Sequence, residues 1–297
     1  MMTGPQRGAL AAFLSYIWWG SMPLYWKLLQ NVPSTEILSH RVLWSAVFTF
    51  VVLLLTKKCG GTLAFLRENP RKGLWLAAGG FLITINWGLY IWAINAGHIL
   101  DTSLGYYINP LLSMFFGVLF FGERMNRAQK AALLLAFAGV ALQIATLGEI
   151  PFVAFGLALS FALYGVLKKK IPIEPPSALF IETISVAPAA LLWLYFIKER
   201  ANVPISYDTV TFLLLAGTGI ATSVPLFLFA YGAGKVRLTT IGFIQYVSPT
   251  MAFIIGTLVY HEPLNICKII TFCCIWCAIA LYSADLALSG RGADEKG

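Results

Sequence analysis

The chain has 297 residues, of which 59% are hydrophobic and 11% charged, with a mean hydropathy of +0.77 and a formal net charge of +8. A soluble domain carries about 25% charged residues, so a disordered chain, a collagen, a disulfide scaffold and a soluble enzyme are excluded, and a polytopic membrane protein remains. Spans of about 20 apolar residues fit roughly ten times into this length, which leaves little for an extramembrane domain. The positive charge is read as basic loops at one membrane face, not as a nucleic-acid surface.

Ten apolar runs are predicted as spanning helices. They are continuous and near 20 residues long, whereas barrel strands are shorter and alternate. The first, 8–29, holds Trp18, Trp19 and Tyr25 and ends beside Lys27. It leads straight into further runs, so it is read as a span and not as a cleavable signal. The second, 36–56, opens on Glu36, His40 and Arg41, with Glu36 and His40 one turn apart on a shared face. The third, 74–96, carries Asn86, Trp87 and Tyr90. The fourth, 102–121, sets Tyr106, Asn109, Pro110, Ser113 and Gly117 along one helical face. The fifth and sixth are 128–147 and 150–168, the latter with Tyr164. The seventh, 178–197, contains Glu182, and the eighth is 209–233. The ninth, 238–260, repeats the spacing of the fourth with Gln245, Ser248, Pro249, Ala252 and Gly256, and adds Tyr246. The tenth, 264–287, holds Cys267, Cys273, Cys274 and Cys277. No His or acid accompanies these thiols at ligand spacing, so they are read as small apolar fillers.

Ten spans place both termini on one side. If that side is the cytoplasm, 16 of the 21 Lys and Arg residues lie on the cytoplasmic face, including Lys168, Lys169 and Lys170. The opposite face holds Lys198, Arg200 and Lys268, and Lys27 and Arg41 lie at or inside spans. This is a strong positive-inside asymmetry.

The halves repeat one another. Residues 93–106 match 230–243 at an offset of 137, with Ala93, Ala96, Gly97, Thr102 and Gly105 recurring as Ala230, Ala233, Gly234, Thr239 and Gly242. From Tyr107-Ile108-Asn109-Pro110 onward the match is Tyr246-Val247-Ser248-Pro249 at an offset of 139, followed by Gly117 with Gly256 and Glu123 with Glu262. The ninth span therefore carries two extra residues. The expected units are residues 8–147, residues 150–288 and a cytoplasmic tail, 289–297. Five spans per unit is an odd number, so the second copy lies inverted, the arrangement used for alternating access.

The stretches Gly105-Tyr106-Tyr107-Ile108-Asn109-Pro110, Phe121-Gly122-Glu123-Arg124, Thr35-Glu36-Ile37-Leu38-Ser39-His40-Arg41 and Gly242-Phe243-Ile244-Gln245-Tyr246 resemble the RarD branch of the EamA drug/metabolite transporter superfamily. The resemblance covers nearly the whole chain. It implies an all-α membrane protein with ten helices in two inverted EamA repeats around a central cavity in a bacterial inner membrane. It also implies small-molecule permeation, usually export in relatives, without specifying a substrate.

Polar groups within hydrocarbon face a cavity or a partner. The expected cavity residues are Trp18, His40, Arg41, Asn86, Tyr90, Tyr106, Asn109, Tyr164, Glu182, Gln245 and Tyr246, and an Arg41–Glu182 pair across the cavity is one expectation. Glu36, His40 and Glu182 are the candidates for proton coupling. Glu123 and Glu262 are expected to fix helix ends. No phosphate loop, HExxH or GxSxG motif is present, and three His (His40, His98 and His261) do not suggest a metal centre. A transporter of small metabolites or drugs without a cofactor, in contact with a small-molecule substrate and membrane lipids, is the leading reading. An uncoupled facilitator and a non-transporting receptor or scaffold are its rivals.

Overall fold

The computed structural model of the chain describes residues 2–95, 99–147, 151–201, 207–258 and 266–294. The described residues form helices and no strand: α1 (Gly4–Leu28), α2 (Ser34–Leu55), α3 (Cys59–Glu68), α4 (Pro70–Asn95), α5 (Ile99–Phe121), α6 (Arg127–Leu147), α7 (Phe152–Lys170), α8 (Pro175–Ala201), α9 (Thr209–Ala233), α10 (Leu238–Gln245), α11 (Val247–Leu258) and α12 (Ile266–Asp294). Among the described residues nine segments are long and apolar enough to cross a membrane, with α10 and α11 together making one. At 25 residues α1 has the length of a tenth, but its Trp, Tyr, Ser and Gly residues dilute its hydropathy.

Two features differ from the ten-helix expectation. A short helix, α3, occupies what reads as a loop between the second and third spans. It is ten residues long, too short to span, and it docks through Thr62 Oγ1 on Ser177 Oγ of α8 at 2.8 Å. The ninth span is broken at Tyr246. The missing N–H of Pro249 leaves the Gln245 carbonyl without its helical donor, whereas in the first turn of a new helix a proline costs nothing. The break falls where the two extra residues of the second repeat lie. At the other end of the chain, α12 continues to Asp294, into the segment expected as a tail.

The packing obeys the inverted symmetry. In the first half α1 packs on α9 and on α10–α11, and in the second half its counterpart α7 packs on α4 and α5. Likewise α2 meets α9 as α8 meets α4, while α2 with α8, α5 with α10 and α6 with α12 pair across the axis. Two glycines 139 residues apart show this at atomic level. A Cβ at Gly80 would lie 2.3 Å from the carbonyl oxygen of Glu182, and one at Gly219 would lie 2.4 Å from that of Trp44. Small residues at these crossings bring helix backbones together, as is common in membrane bundles.

Two apolar clusters fill the bundle. One joins α5, α6, α10 and α12 around Tyr107, Phe243, Phe272 and Tyr282. The other joins α1, α7 and α9 around Tyr16, Tyr164 and Phe229, with Trp19 and Phe161 against it. Large apolar side chains such as Phe115, Leu119, Phe137, Leu191 and Leu213 remain exposed on the outside, where acyl chains cover them.

Candidate functional site

The interior polar groups gather at three levels. The first is a small hollow lined by Asn86, Tyr90, Gly105, Tyr106, Asn109, Leu157 and Phe161, with a volume of about 30 Å³. That holds a water or two. Asn86 donates from Nδ2 to the Leu157 carbonyl and to Ser160 Oγ, both at 2.8 Å, which ties α4 to α7. The Tyr90 and Tyr106 rings stand edge-on, with centroids 6.0 Å apart. Tyr106 shares its helical face with buried Asn109, Pro110 and Ser113 and lies opposite lipid-facing Phe115, yet it is 44% exposed. Its exposure is therefore to an opening inside the bundle. Asn109 and Gln245 meet through Ser113, whose hydroxyl lies 3.4 Å from Asn109 Oδ1 and 3.3 Å from Gln245 Oε1. The polar faces of the fourth and ninth spans thus converge across α5 and α10.

Arg41 lies seven residues into α2, and Tyr106 seven residues into α5, each about 10 Å along its helix at 1.5 Å per residue. The Arg41 guanidinium packs on two indoles, 4.7 Å from the Trp26 ring centroid and 4.3 Å from the Trp87 ring centroid. Its Nε donates to Thr222 Oγ1 at 3.2 Å, and Tyr90 and Tyr106 are within its electrostatic reach. Glu36 accepts from the Tyr207 hydroxyl, and the His40 ring stands edge-on to Tyr207 at 5.6 Å. Burial and the bond to Glu36 push the Tyr207 phenol above its ordinary pKa.

The second level holds Glu182, which is 1% exposed. It does not pair with Arg41. Lys168 Nζ donates to its Oε1 at 2.5 Å and the Tyr164 hydroxyl to its Oε2 at 2.9 Å. Lys168, expected in a basic loop, is therefore buried on α7. Tyr164 and Lys168 are one turn apart, so a shared face was the available signal; the run Lys168-Lys169-Lys170 obscured it. Two further aromatics act as fasteners outside the hollow. Pro225 in α9 frees the Ala221 carbonyl from its helical bond, and Trp18 Nε1 donates to that oxygen at 3.0 Å. Tyr246 is buried and donates to the Tyr107 carbonyl at 3.3 Å.

The third level closes the basic end. Gly122 turns the chain with a φ of +62°, a left-handed conformation suited to glycine, and so swings Glu123 back under α5. There Glu123 accepts from the backbone N–H groups of Leu238 and Thr239 at 2.7 and 2.8 Å. These are orphan donors at the N-terminus of α10, where a carboxylate is favoured. Gly117 makes room: a Cβ there would lie 2.7 Å from Glu123 Oε2. Lys169 bridges to Glu123 at 3.1 Å and to the Val236 carbonyl at 2.5 Å, and Arg237 donates to the Arg124 carbonyl at 2.7 Å. The first half is thereby latched to the second. Glu262, the repeat-mate of Glu123, lies outside the described residues.

Burial pushes the Glu123 carboxyl up, but the N–H groups of Thr239 and Leu238 and the Lys169 ammonium hold it below the ordinary 4.5. Its stabilising effect is therefore complete above 4.5 and is lost as pH falls through the lower folded-state value. Glu123→Gln is expected to flatten this acid-side loss, read as thermal unfolding temperature against pH in detergent. An unchanged pH profile would contradict the latch.

Sequence reasoning did not single out Trp26, Thr222, Lys168 or Tyr207. Thr222 was detectable as one of the hydroxyl residues (Thr218, Thr222 and Ser223) shortly before Pro225 in a largely apolar run; Trp26 gave no local signal. Among the described residues no three His, Cys, Asp or Glu side chains come together as a metal site would require.

The pattern of the EamA-like transporter family matches residues 6–145 and 150–284, one copy per half. Protein RarD of Escherichia coli K12 is 40% identical over 287 residues, 96% of this chain and 97% of that one. The uncharacterized transporter YojE of Bacillus subtilis is 42% identical over 280 residues, 94% of each chain. The chloramphenicol-sensitive protein RarD of Pseudomonas aeruginosa is 26% identical over 95% of both chains. A solved crystal structure at 17% identity shares the fold, with a TM-score of 0.71 over 92% of this chain and 96% of that one. A multi-pass bundle of inverted halves, matched twice by one family pattern and over nearly full length by named transporters, belongs to the EamA-like transporter family and is a membrane transporter, not an enzyme.

Proposed function

We propose that the protein exports small organic metabolites or drugs across the bacterial inner membrane by alternating access of its two halves, with both termini and the basic loops in the cytoplasm. The observation that carries this reading is the unequal state of the two ends. Polar residues of α2, α4 and α5 surround an opening that leaves Tyr106 44% exposed, while Glu123, Lys169 and Arg237 latch the halves at the basic end. Exchanging the conformations of inverted halves would open the basic end and close the other. The hollow of about 30 Å³ is too small for a metabolite, so the Tyr90–Tyr106 pair must part when one binds.

Proton coupling, on this reading, falls to Glu36 and His40. They lie on the first turns of α2, where buried Glu36 accepts from Tyr207 and the His40 ring stands edge-on to the same tyrosine. Glu182 is held by Lys168 and Tyr164 and serves as a fixed charge. The test is reconstitution into liposomes with a panel of amino acids, nucleosides and phenicol drugs. Accumulation against a gradient, driven by an imposed pH difference and lost in Glu36→Gln with His40→Ala, is the expected result. Flux that only equilibrates and ignores the pH difference would make the protein a facilitator; no flux for any compound would remove the transport reading of this cavity.

A further inference from the structure

The Arg41 guanidinium has an unusual set of neighbours for a cation inside a membrane bundle. The Trp26 and Trp87 rings both lie within cation–π distance of it, at 4.7 and 4.3 Å, a favourable arrangement in a desolvated place. Thr222 takes the Nε–H. The terminal N–H groups have no partner among the described residues, and the side chains placed beside it (Thr222, Trp26, Trp87, Tyr90 and Tyr106) are all neutral. The buried carboxylate Glu182 is already neutralised by Lys168. A charge at this depth costs several kcal/mol unless it is paired or serves a ligand. Here the sequence supplies the cation and a planar, pre-oriented fork but no anion.

We propose that Arg41 is an anion subsite and that the transported compound is a small organic monocarboxylate with a flat or aromatic body. The assignment rests on the carrier reading above and gives it a substrate class. Both indoles pack on the guanidinium, and Thr222 holds its Nε–H. The free terminal edge then presents two parallel N–H groups, the geometry that matches a carboxylate. One guanidinium balances one negative charge. The Tyr90 and Tyr106 rings flank the way in, and their hydroxyls with the Asn109 amide offer hydrogen bonds to the remainder of the molecule. Trp26 comes from α1, Arg41 from α2, Trp87 from α4 and Thr222 from α9, so the subsite is assembled from both halves, as a site at the repeat interface must be.

The test uses acid and amide pairs of equal shape: benzoate with benzamide, phenylacetate with phenylacetamide, and hippurate with its carboxamide. Binding to the purified protein in lipid nanodiscs is followed by a change in tryptophan fluorescence, since Trp26 and Trp87 pack on the guanidinium that would hold the acid. The wild type is expected to bind acids about tenfold or more tightly than amides, the preference due to hydrogen bonds with a charged partner. Arg41→Gln abolishes that preference, and Arg41→Lys retains part of it. Equal binding of acid and amide by the wild type, undiminished acid binding by Arg41→Gln, or no acid binding at all would each overturn the subsite. The wild-type comparison stands even if a variant fails to fold. Flux in liposomes separates the two readings. Passage of amides without acids sinks the anion subsite and leaves the carrier, whereas acid binding with no flux of any member keeps the subsite and sinks the carrier.

Discussion

Lys168→Met is expected to be among the most destabilising single changes in the molecule. It leaves the Glu182 carboxylate, 1% exposed, without its ammonium partner and with only the Tyr164 hydroxyl. Breaking one side of a buried ion pair costs about 3–5 kcal/mol, because the remaining charge keeps its desolvation penalty. The pair itself contributes far less, since an uncharged replacement of similar volume is about as stable. Lys168→Met combined with Glu182→Gln should therefore recover most of the loss while keeping the bond from Tyr164. Unfolding in detergent titrations of the two single variants and the double variant checks this. If the double variant is no more stable than Lys168→Met, the cost does not come from an orphaned charge. Exposed Lys58 makes an ion pair with Glu174 at the same 2.5 Å and supplies the contrast. Lys58→Met should change stability by less than about 1 kcal/mol.

Gly80→Ala and Gly219→Ala should each be damaging although alanine is the better helix former. The added Cβ would meet the Glu182 carbonyl oxygen at 2.3 Å in the first case and the Trp44 carbonyl oxygen at 2.4 Å in the second. Those atoms belong to backbone and cannot rotate aside, so α4 must back away from α8, or α9 from α2. Overpacking of this kind costs about 1–3 kcal/mol. Gly61→Ala, in α3 with no atom within 4 Å of its Cβ, should instead be neutral or gain up to about 1 kcal/mol from reduced chain entropy. Thermal unfolding of the three variants reads the sign directly. Stability at Gly80→Ala equal to that of Gly61→Ala would mean the α4–α8 contact is looser than it stands here.

What could be read from the chain was whatever helical period and repetition encode. Tyr106, Asn109 and Ser113 recur on one face of the fourth span, Asn86 and Tyr90 on one face of the third, and all of these except Ser113 line a single hollow. The repeat offset likewise announced Glu123 as a structural end-piece. What escaped was decided by partners distant in the chain. Arg41 was legible as a buried cation, but its choice of Trp26, Trp87 and Thr222 over Glu182 depends on how α1, α4 and α9 cross α2. Glu182 went to Lys168 because a lysine at the end of a basic run happened to share a face with Tyr164. Composition treats such a lysine as loop charge; only the depth of α7 in the bundle shows otherwise. The short helix α3 fell below any span-length pattern, and its docking through Thr62 on Ser177 has no periodic signature.

The interruption at Tyr246 keeps the two copies of the fold from being interchangeable. Two inserted residues would advance an unbroken helix by about 200° and turn the groups beyond them toward the acyl chains. Restarting the helix at Val247 resets that phase, so both segments keep a face toward the interior. The partner rod, α5, continues through Pro110 as one helix. When the halves rock, one of the two central rods is two helices and the other is one. The divided rod can change the angle between its parts at Tyr246, while the undivided one can only flex within a single helix.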